Sequence, residues 1–218
     1  MFSSNFILPL VGFAAGSIPF GLLVARWKGV DIRKHGSGNI GATNVLRVVG
    51  KPYGIAVFVF DFLKGLLPVL ASLGWFAATP SPEWVSIATG LAAILGHNYS
   101  PWVGFKGGKG IATSAGVLLG LLPWPLLIAL AVWGVAFKAT RYVSVASMAA
   151  AVAIPCAEIG FSLAKGEWRP YFLGFTIAIA VLAIWRHRSN IQNLKAGREH
   201  RFESTRPPQP ENSDSKSQ

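Results

Sequence analysis

The sequence predicts an all-α polytopic membrane protein, built as a bundle of seven transmembrane helices. Of the 218 residues, 52% are hydrophobic and only 13% are charged, whereas about 25% of the residues in a typical soluble domain are charged. The hydrophobic residues are gathered in long runs, as expected of membrane-spanning helices. Almost all of the 20 Lys and Arg residues lie between these runs or after them, which is typical of polytopic membrane proteins.

The apolar runs predict where the helices lie. They cover residues 4–25, 53–79, 84–96, 111–122, 124–137, 142–164 and 170–185. A full span needs about 20 apolar residues, so the third, fourth, fifth and seventh runs are short. The first run has neither a basic segment before it nor a small-residue cleavage site, so we expect it to be retained as a span.

The segment Pro123-Trp124-Pro125 separates the fourth and fifth runs, because proline disfavours a continuous helix. This stretch is either one kinked helix or two short helices. With two helices, 17 of the 20 Lys and Arg residues fall on one side of the membrane. With one helix, Lys138 and Arg141 move to the other side. Since cytoplasmic loops are enriched in Lys and Arg, we predict seven spans, with the N-terminus outside and the C-terminus cytoplasmic.

We divide the chain into an integral membrane domain, residues 1–203, and a cytoplasmic tail, residues 204–218. The tail contains three prolines and several serines, a composition typical of disordered segments. The single cysteine, Cys156, allows no internal disulfide. A formal net charge of +11 is compatible with nucleic acid as a partner, but the cations flank apolar runs. This pattern favours membrane lipid and anionic small ligands, and we expect no nucleic acid.

Three polar motifs lie at the ends of apolar runs, all on the predicted cytoplasmic side. They are Gly36–Arg47, Gly96–Gly110 and Arg186–Ile191. Glycine lets the backbone approach a phosphate group closely, and Lys or Arg neutralises its charge. The sequence therefore predicts a site for phosphorylated ligands at a membrane surface.

The first motif combines glycines with hydrogen-bonding side chains and a permanent cation. Its candidate substrate contacts are Ser37, Gly38, Asn39, Gly41, Thr43, Asn44 and Arg47. The alternative is an ordinary polar loop with glycine turns. The density of groups suited to phosphate favours a binding site over that alternative.

The second motif resembles a phosphate-binding loop, although it lacks the Ser or Thr that follows the lysine in a Walker A motif. Its paired glycines could expose N–H groups as an anion nest, and a helix beginning near Ile111 would add positive potential. The alternative is that its lysines only set topology. The candidate contacts are Ser100, Lys106, Gly107, Gly108, Lys109 and Gly110.

Five further ionisable or polar residues are candidates. His97, beside the second motif, is either structural or a proton acceptor. His187 and Asn190 share a face if their helix continues, and could orient a hydroxyl or a phosphate. Asp61 and Lys64 lie within an apolar run, where ionisable groups are costly; they form either a structural ion pair or a pair facing substrate. Four scattered histidines and one cysteine predict no metal site.

Six segments together strongly resemble the bacterial acyl-phosphate:glycerol-3-phosphate acyltransferases. These segments are Gly16–Gly21, Gly36–Arg47, Asp61–Gly65, Gly96–Ser100, Phe105–Thr113 and His187–Ile191. The resemblance covers about residues 10–199. It implies a seven-helix bundle in the bacterial inner membrane with a cytoplasmic active site. It also implies acyl transfer from acyl phosphate to glycerol 3-phosphate, which forms lysophosphatidic acid, without a cofactor and in functional coupling with the enzyme that makes acyl phosphate.

The same resemblance implies which residues are catalytic: Ser37, Arg47, Lys109, His187 and Asn190. After Ile191 the family pattern continues with a basic residue, where this chain has Gln192 or Asn193, although Leu194, Gly197 and Glu199 fit. No His-x-x-x-x-Asp motif, which we associate with thioester-dependent glycerophosphate acyltransferases, is present.

Because acyl phosphate is already activated, we expect direct attack by the glycerol hydroxyl and no covalent enzyme intermediate. The proton acceptor is left open between a substrate phosphate, His97 and His187. The acyl chain is expected in a groove between helices that opens to lipid. Two other functional classes compete with this hypothesis: a transporter of phosphorylated metabolites and a membrane-bound nucleotide-binding protein.

Overall fold

The structure is a computed structural model that describes residues 4–75 and 80–202. These residues form ten α-helices and two short 3₁₀ turns, Ile32–Lys34 and Pro101–Val103. The helices are α1 (Ser4–Ser17), α2 (Phe20–Trp27), α3 (Ala42–Val48), α4 (Lys51–Ser72), α5 (Glu83–Asn98), α6 (Ile111–Leu121), α7 (Pro123–Thr140), α8 (Val143–Lys165), α9 (Pro170–Arg186) and α10 (Arg188–Lys195). The tail predicted at 204–218 lies outside the described residues.

The first apolar run forms two helices, because Pro19 has no N–H to donate and interrupts the helical hydrogen bonds. Side chains from other segments bind the carbonyl oxygens at this break. The oxygen of Ile18 accepts from Lys64 Nζ at 2.7 Å, and that of Ser17 accepts from Ser100 Oγ at 2.6 Å. The break thereby connects α1 to α4 and to the segment that follows α5.

Helix α4 lies at the centre of the bundle, in contact with α1, α3, α5 and α6. Glycines allow the close approach of its neighbours. A Cβ added at Gly54 would overlap the backbone of α3, and one added at Gly65 would overlap the backbone oxygen of Thr113 on α6. The second apolar run was expected to extend to residue 79, but helix α4 ends at Ser72. Gly74 adopts a φ of 84°, a left-handed conformation common just after helix ends.

The proline-rich stretch contains two helices, and the one-helix alternative is wrong. Helices α6 and α7 are separated by Leu122, which has φ −142° and ψ 63°. Their packing also differs, since α6 contacts α4 and α5 whereas α7 packs mainly on α8. With 11 residues, α6 is about 16 Å long, roughly half the thickness of a bilayer core.

By length and composition, four helical segments of the described residues can cross a membrane: Asn5–Trp27, Lys51–Ser72, Pro123–Thr140 and Val143–Lys165. A fifth is the pair α9 and α10, which is bent by 50°. Large apolar side chains such as Leu10 and Val181 are exposed on the helices, as expected of a surface in contact with lipid. The all-α architecture with several membrane-length helices is confirmed, whereas seven spans and their orientation stay predictions.

The segments that carry the three motifs meet at one end of the bundle. At this end α5, α7 and α9 finish, and α6 and α8 begin. Arg186, at the end of α9, contacts the loop before α6. Ser144, at the start of α8, donates to Glu199 at 2.6 Å, and the N–H of Phe202 donates to the carbonyl of Arg141 at 2.8 Å. The polar motifs therefore form a single region.

Candidate active site

The buried amide of Asn44 holds the first motif in shape. Its Oδ1 accepts from the N–H of Ser37 at 3.0 Å, and its Nδ2 donates to the carbonyl oxygens of His35 at 3.0 Å and Asn39 at 2.9 Å. The side-chain oxygen of Asn39 in turn accepts from the N–H of Gly41 at 2.8 Å. The amide of Asn44, a candidate substrate contact, is therefore used within the loop itself.

The outer surface of this loop carries the groups that solvent and substrate can reach. Ser37 and Gly38 are exposed, and Thr43 is partly exposed. Arg47 is exposed near the end of α3. Although much of the side chain is exposed, the surrounding protein displaces some of the water around the guanidinium and so lowers the pKa of Arg47; the charge of Glu199 opposes this effect. The guanidinium remains charged at any physiological pH.

The paired glycines of the second motif are hydrogen bonded on both sides. The N–H of Gly107 donates to the carbonyl of Asn98, and that of Gly108 donates to the carbonyl of His97, each at 3.2 Å. Their own carbonyl oxygens accept from Arg186, whose Nη2 lies 2.7 Å from Gly107 O and 2.8 Å from Gly108 O. This corrects the expectation of an anion nest, because both N–H groups already donate within the protein.

Tight packing requires glycine at these positions. A Cβ added at Gly107 would overlap the carbonyl oxygen of His97, and one at Gly108 would overlap the imidazole ring of the same histidine. Gly110, with a φ of 81°, is the N-cap of α6. Among the described residues, no backbone carbonyl accepts from the N–H of Lys109 or Gly110. These two groups and the first turn of α6 are the backbone donors that remain for an anion.

Lys109 connects the second motif to the third. Its Nζ donates to Oδ1 of Asn190. The Nδ2 of Asn190 donates to Oε1 of Glu199 at 2.7 Å, the same oxygen that accepts from Ser144. Burial lowers the pKa of Lys109 to about 8; Glu199 opposes this shift, and two nearby arginines add to it. Lys109 is therefore mainly protonated at neutral pH, but it loses its proton more readily than a surface lysine.

His187 is buried at the junction of α9 and α10, with one ring nitrogen fixed by the backbone. Nδ1 lies 2.7 Å from the carbonyl oxygen of Ala183, so this nitrogen carries the proton and Nε2 is the acceptor. Burial, and then the charge of Lys109, lowers the pKa of His187 to about 4. His187 is neutral at pH 7 and can accept a hydrogen bond from a hydroxyl, but it is a weak base.

Other candidates lie beneath the loops. Asp61 and Lys64 form a buried ion pair with 2.7 Å between Oδ1 and Nζ, and Nδ1 of His97 is 3.7 Å from the same carboxylate oxygen. Lys64 and Ser100 also donate to the carbonyls at the α1–α2 break. These contacts favour the structural interpretation of Asp61 and Lys64. Lys106, by contrast, is exposed.

Two residues that organise this site, Arg186 and Glu199, are not among the site residues predicted from the sequence. Arg186 belongs to a cationic cluster of the kind that commonly follows a membrane span, so its charge alone did not single it out. Glu199 fits the family pattern, but no spacing rule links it to Lys109, far earlier in the chain. One signal was available in the sequence: Glu199 is a carboxylate among several cations, and such a group is expected to pair with them.

The charged groups of the site leave a surplus of positive charge. The groups whose charges act on Lys109 are Glu199, Arg186 and Arg47. With Lys109 itself, the cluster contains three cations and one carboxylate, a balance suited to a phosphate dianion. Across residues 4–75 and 80–202, no group of three or more His, Cys, Asp or Glu side chains could hold a metal ion.

Comparison with known proteins identifies the family. The glycerol-3-phosphate acyltransferase family matches residues 6–197. A glycerol-3-phosphate acyltransferase of Geobacter sulfurreducens is 49% identical over 201 residues, which are 92% of this chain and 99% of that protein. One from Aquifex aeolicus is 45% identical over 195 residues, covering 89% of this chain and 97% of that protein.

A crystal structure of PlsY (YgiH), an integral membrane glycerol 3-phosphate acyltransferase, in its glycerol 3-phosphate form superposes with a TM-score of 0.83. It is 44% identical in sequence and covers 92% of this chain and 96% of its own. The lysophosphatidic acid form of PlsY superposes with a TM-score of 0.80 at the same identity and coverage. These similarities favour an acyltransferase over the transporter and nucleotide-binding alternatives. The chain belongs to the glycerol-3-phosphate acyltransferase family of integral membrane enzymes.

Proposed function

We propose that this protein transfers a fatty acyl group from acyl phosphate to glycerol 3-phosphate, forming lysophosphatidic acid and inorganic phosphate. The observation that carries the proposal is the cluster of Lys109, His187, Asn190 and Arg47 at one end of the bundle. It combines surplus positive charge with a neutral imidazole acceptor. Such a site can hold two phosphorylated molecules and one reacting hydroxyl in contact.

The acyl phosphate group would bind at the start of α6. The N–H groups of Lys109 and Gly110 and the first turn of the helix are the available donors. The ammonium of Lys109 adds a positive charge beside them. Arg47 would hold the phosphate of glycerol 3-phosphate, since its forked guanidinium matches two phosphate oxygens. The exposed hydroxyl of Ser37 would donate a further hydrogen bond.

The reaction requires no acylated enzyme. The glycerol hydroxyl oxygen attacks the acyl carbonyl carbon, the carbon–oxygen bond to phosphate breaks, and phosphate leaves with the bonding electrons. A histidine with a pKa of about 4 is a poor general base at neutral pH. We therefore assign the hydroxyl proton to an oxygen of the substrate phosphate and assign Nε2 of His187 to orienting the hydroxyl. His97, packed beneath Gly108, is not the acceptor.

The cellular setting follows from charge and hydrophobicity. Seven spans with the motif end in the cytoplasm would keep most Lys and Arg residues on the cytoplasmic side. The site would then lie at the inner face of the bacterial cytoplasmic membrane, where soluble glycerol 3-phosphate is available. The fatty chain of the donor would lie between helices, and a membrane-associated enzyme that makes acyl phosphate would supply it.

The test is a donor comparison with purified protein. Palmitoyl phosphate or palmitoyl-CoA is incubated with radiolabelled glycerol 3-phosphate, and the lipid product is extracted and identified. We expect labelled lysophosphatidic acid from palmitoyl phosphate only. The Lys109→Met variant should lose this activity, whereas Lys165→Met, at an exposed position at the other end of the bundle, serves as the control. Turnover with palmitoyl-CoA alone would refute the proposed donor.

A further inference from the structure

We propose that Arg186 is a positioning residue for acyl transfer: its guanidinium clamps the peptide groups of Gly107 and Gly108, and so directs Lys109 and the first turn of α6 toward the substrate phosphate. This inference rests on the proposed function. It assigns Arg186 no contact with substrate. Its role is to set the geometry of the groups that make that contact.

The clamp has three hydrogen bonds from one side chain. Nη2 of Arg186 is 2.7 Å from Gly107 O and 2.8 Å from Gly108 O, and Nε is 3.1 Å from Gly108 O. A planar guanidinium can reach two neighbouring carbonyl groups at once, whereas the single ammonium of lysine cannot reproduce the fork. Hydrogen bonds from a charged donor are also stronger than those between neutral groups.

Two further contacts make the clamp rigid. The guanidinium carbon of Arg186 lies 5.3 Å from the ring centroid of Tyr99, at the end of α5. On the opposite side of the loop, the N–H groups of Gly107 and Gly108 donate to the last residues of α5. The two peptide units are thus fixed between α5 and α9. Lys109 follows directly, so a shift of the loop moves its ammonium and the start of α6.

Arg186 also couples the second and third motifs. It occupies the last residue of α9, immediately before His187. Movement of the end of this helix would therefore displace the phosphate loop and the imidazole together. A displacement of about 1 Å in a catalytic group can reduce the rate about a hundredfold, although the displaced atoms themselves remain present.

The charge of Arg186 provides a second, independent test of the clamp, because it affects the pKa of Lys109. The groups that face Lys109 are Glu199, Arg186, Arg47, the neutral His187 and the amide of Asn190. Burial lowers the pKa of Lys109 to about 8, and the positive charge of Arg186 contributes to this shift. Removing that charge should therefore raise the pKa of Lys109, whereas a substitution that keeps the charge should leave it unchanged.

The experiment compares Arg186→Met, Arg186→Lys and Arg188→Met. Arg188 is a matched control, because it is exposed and, within residues 4–75 and 80–202, its guanidinium contacts Trp185 of α9, through the carbonyl at 3.4 Å and the indole ring, and not the glycine loop. Steady-state kcat and KM are measured from pH 6 to 10 with palmitoyl phosphate. Acetylation of Lys109 by acetic anhydride, followed by mass spectrometry without substrates, reports its pKa directly.

We expect Arg186→Met to lower kcat about a hundredfold and to move the loss of activity at high pH, and the midpoint of Lys109 acetylation, to higher pH. Arg186→Lys retains the charge but loses the fork, so kcat should fall at least about tenfold with both midpoints near the wild-type value. Arg188→Met should match wild type in kcat and in both midpoints.

Near-normal kcat in either Arg186 variant would overturn the clamp. A lower kcat in Arg186→Met with an unchanged acetylation midpoint would also overturn it, since the charge of Arg186 would then not act on Lys109, as the clamp requires. If Arg186→Met does not fold, Arg186→Lys decides the question by its kcat. Wild-type protein that is inert with palmitoyl phosphate would instead refute the proposed donor, and the acetylation midpoints would still test Arg186.

Discussion

Replacing Lys109 by methionine should remove phosphate recognition while relieving an electrostatic cost in the free protein. The ammonium is partly buried among cations, which lowers its pKa from 10.5 to about 8. The variant keeps a side chain of similar length and loses only the charge and its donors. Loss of a hydrogen bond from a charged group costs about 1.5–3 kcal/mol, so kcat/KM should fall roughly ten- to hundredfold or more.

The stability effect has a definite sign. Between pH 8 and 10.5, the unfolded chain still holds the Lys109 proton while the folded protein has released it. The unfolded state then binds more protons, so the contribution of Lys109 to the free energy of unfolding rises with pH in this window. A difference of two to three pKa units corresponds to about 3 kcal/mol. At neutral pH this energy is a cost, which a phosphate bound at Lys109 would offset by pairing with the ammonium.

The assay is thermal unfolding of the detergent-solubilised protein between pH 7 and 10, with and without inorganic phosphate. Relative to Lys109→Met, wild type should gain stability as the pH rises through 8 to 10. Phosphate should raise the Tm of wild type near pH 7 but not that of Lys109→Met, and Lys165→Met, at the other end of the bundle, should behave as wild type. If Lys109→Met keeps the full phosphate response, or the stability difference is independent of pH, the reasoning is refuted.

Three other predictions concern substrate recognition, topology and mechanism. Arg47→Lys should lose most of the activity that Arg47→Ala loses, because lysine cannot make a two-pronged phosphate contact. The kcat/KM values of the two variants test this, and full activity in Arg47→Lys would show that the forked contact is not needed. A cysteine at Lys106 should resist impermeant maleimides in intact cells, whereas one at Lys165, at the other end of the bundle, should react; the reverse pattern would invert the topology. Incubation with acyl phosphate alone, followed by denaturing mass spectrometry, should find no acyl group on Ser37; an adduct that forms and decays at the turnover rate would contradict direct attack.

The fixed glycine pair also changes how the second motif is understood. Glycine was expected there because it exposes N–H groups, but Gly107 and Gly108 are glycine because a Cβ would overlap His97. Close packing lets the loop lie directly on the end of α5. We therefore expect the pair to hold Lys109 in position, and the residues that follow the pair to recognise the anion.

Much of the fold could be predicted because hydrophobic runs and cation placement are local properties of a sequence. The separation of α6 from α7 followed from two prolines and from the positions of Lys138 and Arg141. The break inside the first run was missed, although Pro19 marks it, because the run is apolar on both sides. Stability there depends on Lys64 and Ser100, which bind the freed carbonyls from distant parts of the chain.

By itself, the sequence determined which chemical groups this protein brings to a membrane surface: three polar motifs, their cations and their glycines. Only the tertiary structure decided which of those groups remain available. Asn44, Gly107 and Gly108 carry suitable donors, but these donors are already hydrogen bonded within the protein, Asn44 in its own loop and the two glycines to the end of α5. Arg186 and Glu199, in contrast, have hydrogen-bond partners that their positions in the sequence do not indicate. A buried polar group must be paired, and its partner is chosen by proximity in space, which no spacing along the chain encodes.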